Sequence, residues 1–170
     1  MINEKSTREL IKNLAAKLPK FPDGRINYSQ SDIAPVVTIF IESEGKILLL
    51  KRSEKMRNYP GKWNAVTGYL DEVVPIKEKV IEELREETGI TEKEIVTMHY
   101  GEPYKMRDEQ LRKTWIIHPV LVKTSVKPEI VLDQEHTECL WIKSEELFQF
   151  DTPPKLDESL RRALTRYRAK

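Results

Sequence analysis

Closely spaced glutamates are the strongest chemical signal in this chain. Glu83, Glu86 and Glu87 follow one another at i, i+3 and i+4. Pro75 before them suits the first turn of a helix, and Gly89 after them suits the left-handed residue beyond its end. In a helix of about fourteen residues, at about 100° per residue, the three carboxylates share one face. Carboxylates about 6 Å apart repel by roughly 3 kcal/mol at an effective dielectric of about 20. Mg²⁺ or Mn²⁺ relieves such repulsion, so this face is a candidate metal site.

The same glutamates also fit a solvated acidic face, because Lys77, Lys79 and Arg85 stand among them. However, the apolar stripe that includes Val80 and Leu84 borders the carboxylates, which places them beside the buried face. Acids in the last turns also oppose the helix dipole. A stretch that breaks two local rules in one place often serves a site.

The stretch 68–90 resembles the Nudix box, G-x5-E-x7-R-E-U-x-E-E-x-G-U, in which U is an aliphatic residue. Two positions depart from it, because Val74 replaces the first glutamate and Glu82 replaces the arginine. In the family these two side chains help to orient the metal-binding glutamates. Because both are missing, a second function stays open, that of a Nudix-fold nucleotide-binding module with weakened catalysis. The matching positions are Gly68, Glu83, Leu84, Glu86, Glu87, Gly89 and Ile90.

The resemblance covers about residues 34–150 and implies an α/β fold, the Nudix-type α/β/α sandwich with a mixed central β-sheet. It implies Mg²⁺- or Mn²⁺-dependent hydrolysis of a diphosphate linkage in a nucleoside diphosphate derivative. A general base on the helix and one on the loop 133–136 are both open. The implied metal ligands are Gly68, Glu83, Glu86 and Glu87, and the implied catalytic residues are Glu83, Glu86 and Glu135.

Further site residues are predicted around this helix. Lys51 and Arg52 end a predicted strand, and the resemblance places such a basic end near the substrate phosphates. Trp63 is a candidate for stacking on a base, although strand aromatics more often belong to the core. Lys79 lies four residues before the first of the three glutamates and is the local candidate to replace the missing arginine. Glu72 is the candidate to supply the missing carboxylate.

The substrate stays open between nucleoside triphosphates, sugar nucleotides and dinucleotides. An isopentenyl-diphosphate isomerase shares the fold and is a less favoured alternative. Such isomerases carry a cysteine immediately before the glycine of this turn, where this chain has Thr67.

The elements that must position these residues follow from periodicity. Apolar runs at 34–42 and 46–52 predict a hairpin, and 63–70 predicts a strand leading into the helix. Two longer strands at 95–104 and 111–123 are predicted, separated by a charged connection at 105–110. Further predictions are a strand at 138–143, a helical turn at 144–147 and a closing helix marked by Leu156, Leu160, Leu164 and Tyr167.

The N-terminal region precedes the stretch that resembles the family. Residues 6–18 predict an amphipathic helix with a capping box of Ser6 and Glu9. Residues 19–33 predict a loop or arm, which either covers a substrate site or meets a second subunit. We therefore expect residues 1–33 to pack on a Nudix domain formed by 34–170.

Composition narrows the class of protein. With 170 residues, 39% hydrophobic and 34% charged, the chain suits one soluble domain. A net charge of +1 gives no global field that would attract a nucleic acid or a membrane. No apolar run suits a membrane span or a signal peptide, and Cys139 alone cannot form an internal disulfide, so we expect a cytoplasmic protein. The expected partner is a nucleotide-type small molecule, and a homodimer is open.

Overall fold

The computed structural model describes residues 4–165, which form three α-helices and eight strands. The elements in chain order are α1 (Glu4–Lys17), β1 (Ile33–Ser43), β2 (Lys46–Arg52), β3 (Trp63–Asn64), β4 (Val66–Tyr69), α2 (Ile76–Thr88), β5 (Ile95–Tyr100), β6 (Tyr104–Asp108), β7 (Lys113–Thr124), β8 (His136–Ile142) and α3 (Leu156–Thr165). Short 3₁₀ turns occupy Glu92–Glu94 and Ser144–Gln149.

The sheet is mixed, as the sequence predicts. Strands β1 and β7 run parallel from the Ile33–Thr114 pair to the Glu42–Lys123 pair, and the other pairings are antiparallel. The strand order is β3-β2-β1-β7-β5, with β4 beside β1, β6 beside β7 and β8 beside β2. Strand β1 therefore pairs with the strand that leads into α2.

Alternate residues of the central strands face two separate cores. On β1, Ile39 packs in one cluster with Ile11 of α1 and Leu84 of α2. The next residue, Phe40, packs in the other cluster with Leu160 of α3. Because successive strand residues point to opposite faces, one sheet buries helices on both sides. The α/β/α sandwich is confirmed.

Helix α2 begins and ends close to its predicted bounds. Pro75 is its N-cap, and Gly89 follows it at φ 77°, a left-handed conformation that glycine adopts at little cost. The Gly89 N–H donates to the carbonyl of Arg85, which closes the last turn.

The predicted charged connection at 105–110 is wrong, because Tyr104–Asp108 is strand β6. Met106 and Asp108 are buried, whereas Lys105 and Arg107 are exposed. The period-two pattern of a strand was present but was masked by charged residues on the outer face. Gly101 and Pro103 separate β6 from β5, so the single strand predicted at 95–104 is two strands.

Helix α1 starts at Glu4, so Ser6 lies inside the helix and the predicted capping box is wrong. The helix is fixed to the sheet by Thr7, whose hydroxyl lies 3.1 Å from Nε2 of the buried His118. The predicted contribution of Tyr167 to the closing helix lies outside the described residues. In the part of the chain that is described, no helix is long and apolar enough to cross a membrane.

Candidate functional site

A cleft of about 450 Å³ opens between α2, the central strands and two loops. Its acidic wall consists of Asp71, Glu83, Glu86 and Glu87. A second wall, called the aromatic wall below, consists of three aromatic residues and two aliphatic ones: Tyr59, Tyr69, Trp115, Met106 and Ile117. The chain thus places paired carboxylates and apolar rings around one open space.

Glu83 is held against the turn that precedes α2. Its side chain is buried, and a methyl group at Gly68 would overlap its carboxyl carbon and oxygen. Gly68 has no left-handed backbone to accommodate, so the close approach of Glu83 is what requires glycine there. The structure therefore brings together the motif glycine and one of the three glutamates.

Lys79 is buried among carboxylates. Its Nζ donates to Oε2 of Glu82 at 2.8 Å and lies 3.2 Å from Oε1 of Glu83. It also lies 3.2 Å from Oδ1 of Asp71. The exposed fraction of Lys79 is only 2%, so a lysine ammonium stands inside the acidic wall.

Asp71 occupies the position for which the sequence suggested Glu72. Lys79 pairs with Asp71, and no ion pair joins Lys79 to Glu72 among residues 4–165. Asp71 is buried and lines the cleft, whereas Glu72 is only partly buried and does not line it. Sequence reasoning missed Asp71, because β4 ends at Tyr69 and the alternation of a strand does not extend to residues 70–72.

Burial and neighbouring charges shift the pKa values of the groups in the acidic wall. Burial raises the pKa of Glu83 to about 7, against the opposing effect of Lys79. Burial, together with Glu83, Asp133 and Glu135, raises the pKa of Glu87 well above its ordinary value. Burial opposes the charge on Lys79, but Glu82, Glu83 and Asp71 outweigh it and raise its pKa. Perturbed carboxylates in a cleft are typical of functional sites.

Glu87 has a buried oxygen with unused binding capacity. Its Oε2 makes no hydrogen bond to any described residue and lies 3.7 Å from Nε2 of His136. The other ring nitrogen, Nδ1, lies 2.8 Å from Asp133. A buried carboxylate oxygen without a partner costs free energy unless a proton or cation satisfies it.

These features fit a hard divalent cation. Oxygen ligands, a close glutamate pair and an unsatisfied Oε2 of Glu87 are the donors such an ion requires. Mg²⁺ is commonly bound by one or two carboxylates, with water and substrate phosphate completing its ligands. Within residues 4–165, no group of three or more His, Cys, Asp or Glu side chains is arranged to hold a metal ion by itself, so a bound ion would need water or substrate among its ligands.

The remaining predicted catalytic acids are exposed. Glu86 and Glu135 both line the cleft, Glu86 from α2 and Glu135 from the loop before β8. The carbonyl of Glu135 accepts a hydrogen bond from the N–H of Ser53 at 2.7 Å, which fixes that loop against the end of β2. Both side chains keep contact with water, as a base that activates water must.

Of the three predicted substrate-binding residues, the structure brings only Arg52 to the cleft. Arg52 is buried, and its Nε donates to the carbonyl of Asn58 at 2.9 Å. Lys51 instead pairs with Glu138 at 2.9 Å and lies 5.9 Å from the ring centre of Trp63. Neighbouring strand residues face opposite sides, so Lys51 and Arg52 cannot both reach the cleft.

Trp63 packs away from the cleft, with its ring edge-on to Phe150 at 5.7 Å. The aromatic wall is built from other residues. Tyr69 stacks on Tyr28 at 5.7 Å and tilts against Trp115 at 6.0 Å. These rings come from the N-terminal arm, β4 and β7. Because they are far apart in the sequence, sequence analysis did not predict that they form one group.

Comparisons with known proteins agree with the fold of this chain. A family model described as the NUDIX domain matches residues 32–167. The nucleoside triphosphatase NudI of Klebsiella pneumoniae (strain 342) is 30% identical over 125 residues, which cover 68% of this chain and 86% of that protein. The crystal structure of the MutT protein from Methanosarcina mazei Go1 is 27% identical with a TM-score of 0.62, covering 81% of this chain and 96% of that one. The structure of an Ap4A hydrolase from C. elegans in a binary complex shares the fold, at 21% identity and a TM-score of 0.63, covering 81% of this chain and 98% of that one.

The family match spans most of the described chain and includes both the glycine turn and the acidic wall. The chain belongs to the NUDIX domain family and is a Nudix hydrolase.

Proposed function

We propose that this protein hydrolyses the diphosphate linkage of a nucleoside triphosphate in the presence of Mg²⁺ or Mn²⁺. The observation that carries the proposal is the single cleft in which buried carboxylates of raised pKa, Glu83 and Glu87, lie beside an aromatic wall. The aromatic wall suits a base, and the acidic wall suits a cation that binds phosphates. The name of the Klebsiella relative supports a triphosphate as the substrate class.

Glu83 and Glu87 are the proposed metal ligands, with Gly68 and Glu86 beside them. When bound, a divalent cation neutralises phosphate charge and polarises the phosphorus–oxygen bond that breaks. Its charge also favours the ionised form of both glutamates, so carboxylates with raised pKa become ligands at neutral pH.

The water that attacks phosphorus needs a proton acceptor. Glu86 and Glu135 are the proposed candidates, because both line the cleft and both are exposed to solvent. A carboxylate in contact with solvent can accept the proton of a water held beside the phosphate. Glu83 is a weaker candidate for the proton acceptor, because one oxygen of its carboxylate pairs with Lys79.

Lys79 and Asp71 are proposed to orient Glu83 in place of the two missing motif residues. The pairing of Lys79 with Glu83 at 3.2 Å fixes one carboxylate oxygen, and Asp71 holds Lys79 from the other side. A positioned glutamate with a local cationic partner is evidence against decay of the site. The binding module without turnover is therefore the weaker alternative.

The test is a substrate panel with purified protein. We expect release of phosphate or pyrophosphate from at least one nucleoside triphosphate with Mg²⁺ or Mn²⁺, abolished by EDTA and restored by excess metal. Sugar nucleotides and dinucleoside polyphosphates belong in the same panel, because they present the same linkage. Turnover that persists in EDTA contradicts the metal site, and binding without turnover on the whole panel favours the binding module.

A further inference from the structure

The N-terminal arm, residues 19–31, forms part of the cleft although it precedes the region that the family model matches. Arg25 is the arm residue that lines the cleft, together with Asp71, Lys79 and Glu83. We infer that Arg25 binds the substrate phosphates, so that the arm completes the phosphate site from outside the family domain. This inference rests on the proposed function, since it requires phosphates in this cleft.

The arm is a fixed part of the structure. Ile26 is buried, and its N–H donates to the carbonyl of Asp71 at 2.8 Å. Tyr28 is also buried, and its hydroxyl donates to the carbonyl of Leu70 at 2.7 Å. The carbonyl of Tyr28 accepts a hydrogen bond from Lys113 at 2.8 Å. These bonds attach the arm to the turn before α2 and to β7 immediately after Arg25, so Arg25 has a defined place.

The Arg25 guanidinium is oriented but has free donors. Its Nε donates to Oδ2 of Asp23 at 2.8 Å, and the Arg25 N–H donates to Oδ1 of the same side chain at 3.0 Å. Its Nη1 lies 4.0 Å from Oδ2 of Asp71, which is too far for a hydrogen bond. Neither terminal nitrogen donates a hydrogen bond to any residue within 4–165.

A purely structural role explains this arrangement poorly. The pair of Asp23 and Arg25 is about half exposed, and such pairs contribute about 0–1 kcal/mol to stability. The buried anchors Ile26 and Tyr28 hold the arm without Arg25. By contrast, a planar guanidinium with its terminal nitrogens free matches phosphate oxygens in a bidentate way. Because Arg25 lines the same cleft as the acidic wall, those donors are open to a polyphosphate bound there.

The test measures binding of nucleoside mono-, di- and triphosphates by calorimetry, with Ca²⁺ replacing Mg²⁺ to limit turnover. The probes are the adenosine, guanosine, cytidine, uridine and thymidine series. For Arg25→Gln we expect about a 10- to 100-fold loss of affinity for the triphosphates, as for a charge-assisted bidentate contact, and less than about twofold for the monophosphates. Arg25→Lys should restore part of the affinity, because lysine keeps the charge but cannot donate two parallel hydrogen bonds to a phosphate.

Lys20→Gln is the matched control. It removes the same charge from the same arm at an exposed position that does not line the cleft, so its affinities should equal those of wild type. Thermal unfolding of each variant checks that the arm stays docked. An equal loss for mono- and triphosphates, or no loss at all, overturns the inference.

The outcomes separate this inference from the proposed function. If wild type binds triphosphates in an Arg25-dependent way but hydrolyses none with Mg²⁺ or Mn²⁺, the hydrolase proposal fails and the Arg25 inference stands. If wild type hydrolyses triphosphates and Arg25→Gln leaves both affinity and KM unchanged, the reverse holds. A wild-type protein that binds none of the probes overturns the Arg25 inference as well.

Discussion

The acidic wall and the aromatic wall of the cleft are built in opposite ways. The glutamates of the acidic wall come from one helix, at a spacing of three and four residues. The aromatic wall combines β4, β6, β7 and the loop 53–62, and Tyr69 gains its stacking partner from the N-terminal arm. One wall is a local feature of the chain, and the other exists only after folding.

This difference has an energetic side. The acidic wall gathers buried like charges, which oppose folding until Lys79 or a cation offsets them. The aromatic wall buries apolar rings, which favour folding. Removing a glutamate from the acidic wall should therefore lower activity while keeping or raising stability, whereas substitutions that do not reach the cleft should change neither.

The largest effect is expected for Glu83→Gln. Losing a carboxylate proposed to hold the cation should lower kcat by about 10²- to 10⁴-fold, because the bound metal contributes several kcal/mol to catalysis. The metal-free protein should keep its fold or gain stability, because a buried charge is removed from the acidic wall. Steady-state kinetics and thermal unfolding in EDTA measure the two effects.

Glu78→Gln is the control, since Glu78 is an exposed glutamate of the same helix that does not line the cleft. It should leave both measurements unchanged. A loss of less than about tenfold for Glu83→Gln would move the essential role to Glu86, Glu87 or Glu135.

Lys79→Met is expected to have the next largest effect. It leaves Asp71, Glu82 and Glu83 without their shared cation, which costs about 3–5 kcal/mol for a buried pair. The Mg²⁺ concentration for half-maximal activity should rise about 10- to 100-fold, because Glu83 loses its orientation. Metal titration and thermal unfolding measure both. Lys77→Met, at an exposed lysine of the same helix paired with Glu92, should resemble wild type.

Asp71→Asn and Glu72→Gln test which of these two neighbouring acids supports Lys79. The structure indicates Asp71, whereas the sequence prediction named Glu72. Asp71→Asn should raise the Mg²⁺ requirement in the same direction as Lys79→Met, because Asp71 pairs with Lys79. Glu72→Gln should change it by less than about twofold. The opposite ranking would return the role to Glu72.

A smaller effect is expected from pH on the metal-free protein. Glu83 has a folded pKa of about 7 against an ordinary value of 4.5, so its proton stabilises the folded state. That stability is present below pH 4.5 and is lost as pH rises through about 7, amounting to about 3 kcal/mol at most. In EDTA, the Tm of wild type should fall relative to that of Glu83→Gln by about 5–10 °C between pH 5 and pH 8.

The difference between the two proteins is the useful quantity, because other groups titrate in the same range. Burial lowers the pKa of His118, which acts in the opposite direction, and it is present in both proteins. Saturating Mg²⁺ should remove the difference in slope. Parallel Tm curves in EDTA would show that Glu83 is ionised in the folded protein.

Much of the fold and the acidic wall could be predicted because their signals are local. Helix α2 follows from Pro75, Gly89 and an apolar stripe, and Lys79 follows from its i, i+4 spacing to Glu83. Strand β6 was missed because charge on its exposed face masked the alternation of Met106 and Asp108.

The rest of the site depends on contacts between distant residues. Arg25 reaches the cleft because Ile26 and Tyr28 dock on the turn before α2, which no local pattern shows. Trp115 meets Tyr69 only through the pairing of β7 and β4 with β1. The choice between Lys51 and Arg52 required knowing which face of β2 borders the cleft.

The smallest effect is expected at Lys51, which the sequence placed near the phosphates. Its ammonium pairs with Glu138 at 2.9 Å and lies over the ring of Trp63, and neither residue lines the cleft. Because such partly exposed pairs contribute about 0–1 kcal/mol, Lys51→Gln should shift Tm by no more than about 4 °C. The kcat/KM should stay within about twofold of wild type, since no charge in the cleft changes. Arg52→Gln, one residue along the same strand, provides the contrast and should raise KM, with calorimetry of nucleotide binding separating lost affinity from lost fold. A rise in KM for Lys51→Gln that matches Arg52→Gln would mean that phosphates contact both faces of β2 and that the substrate site extends beyond the cleft.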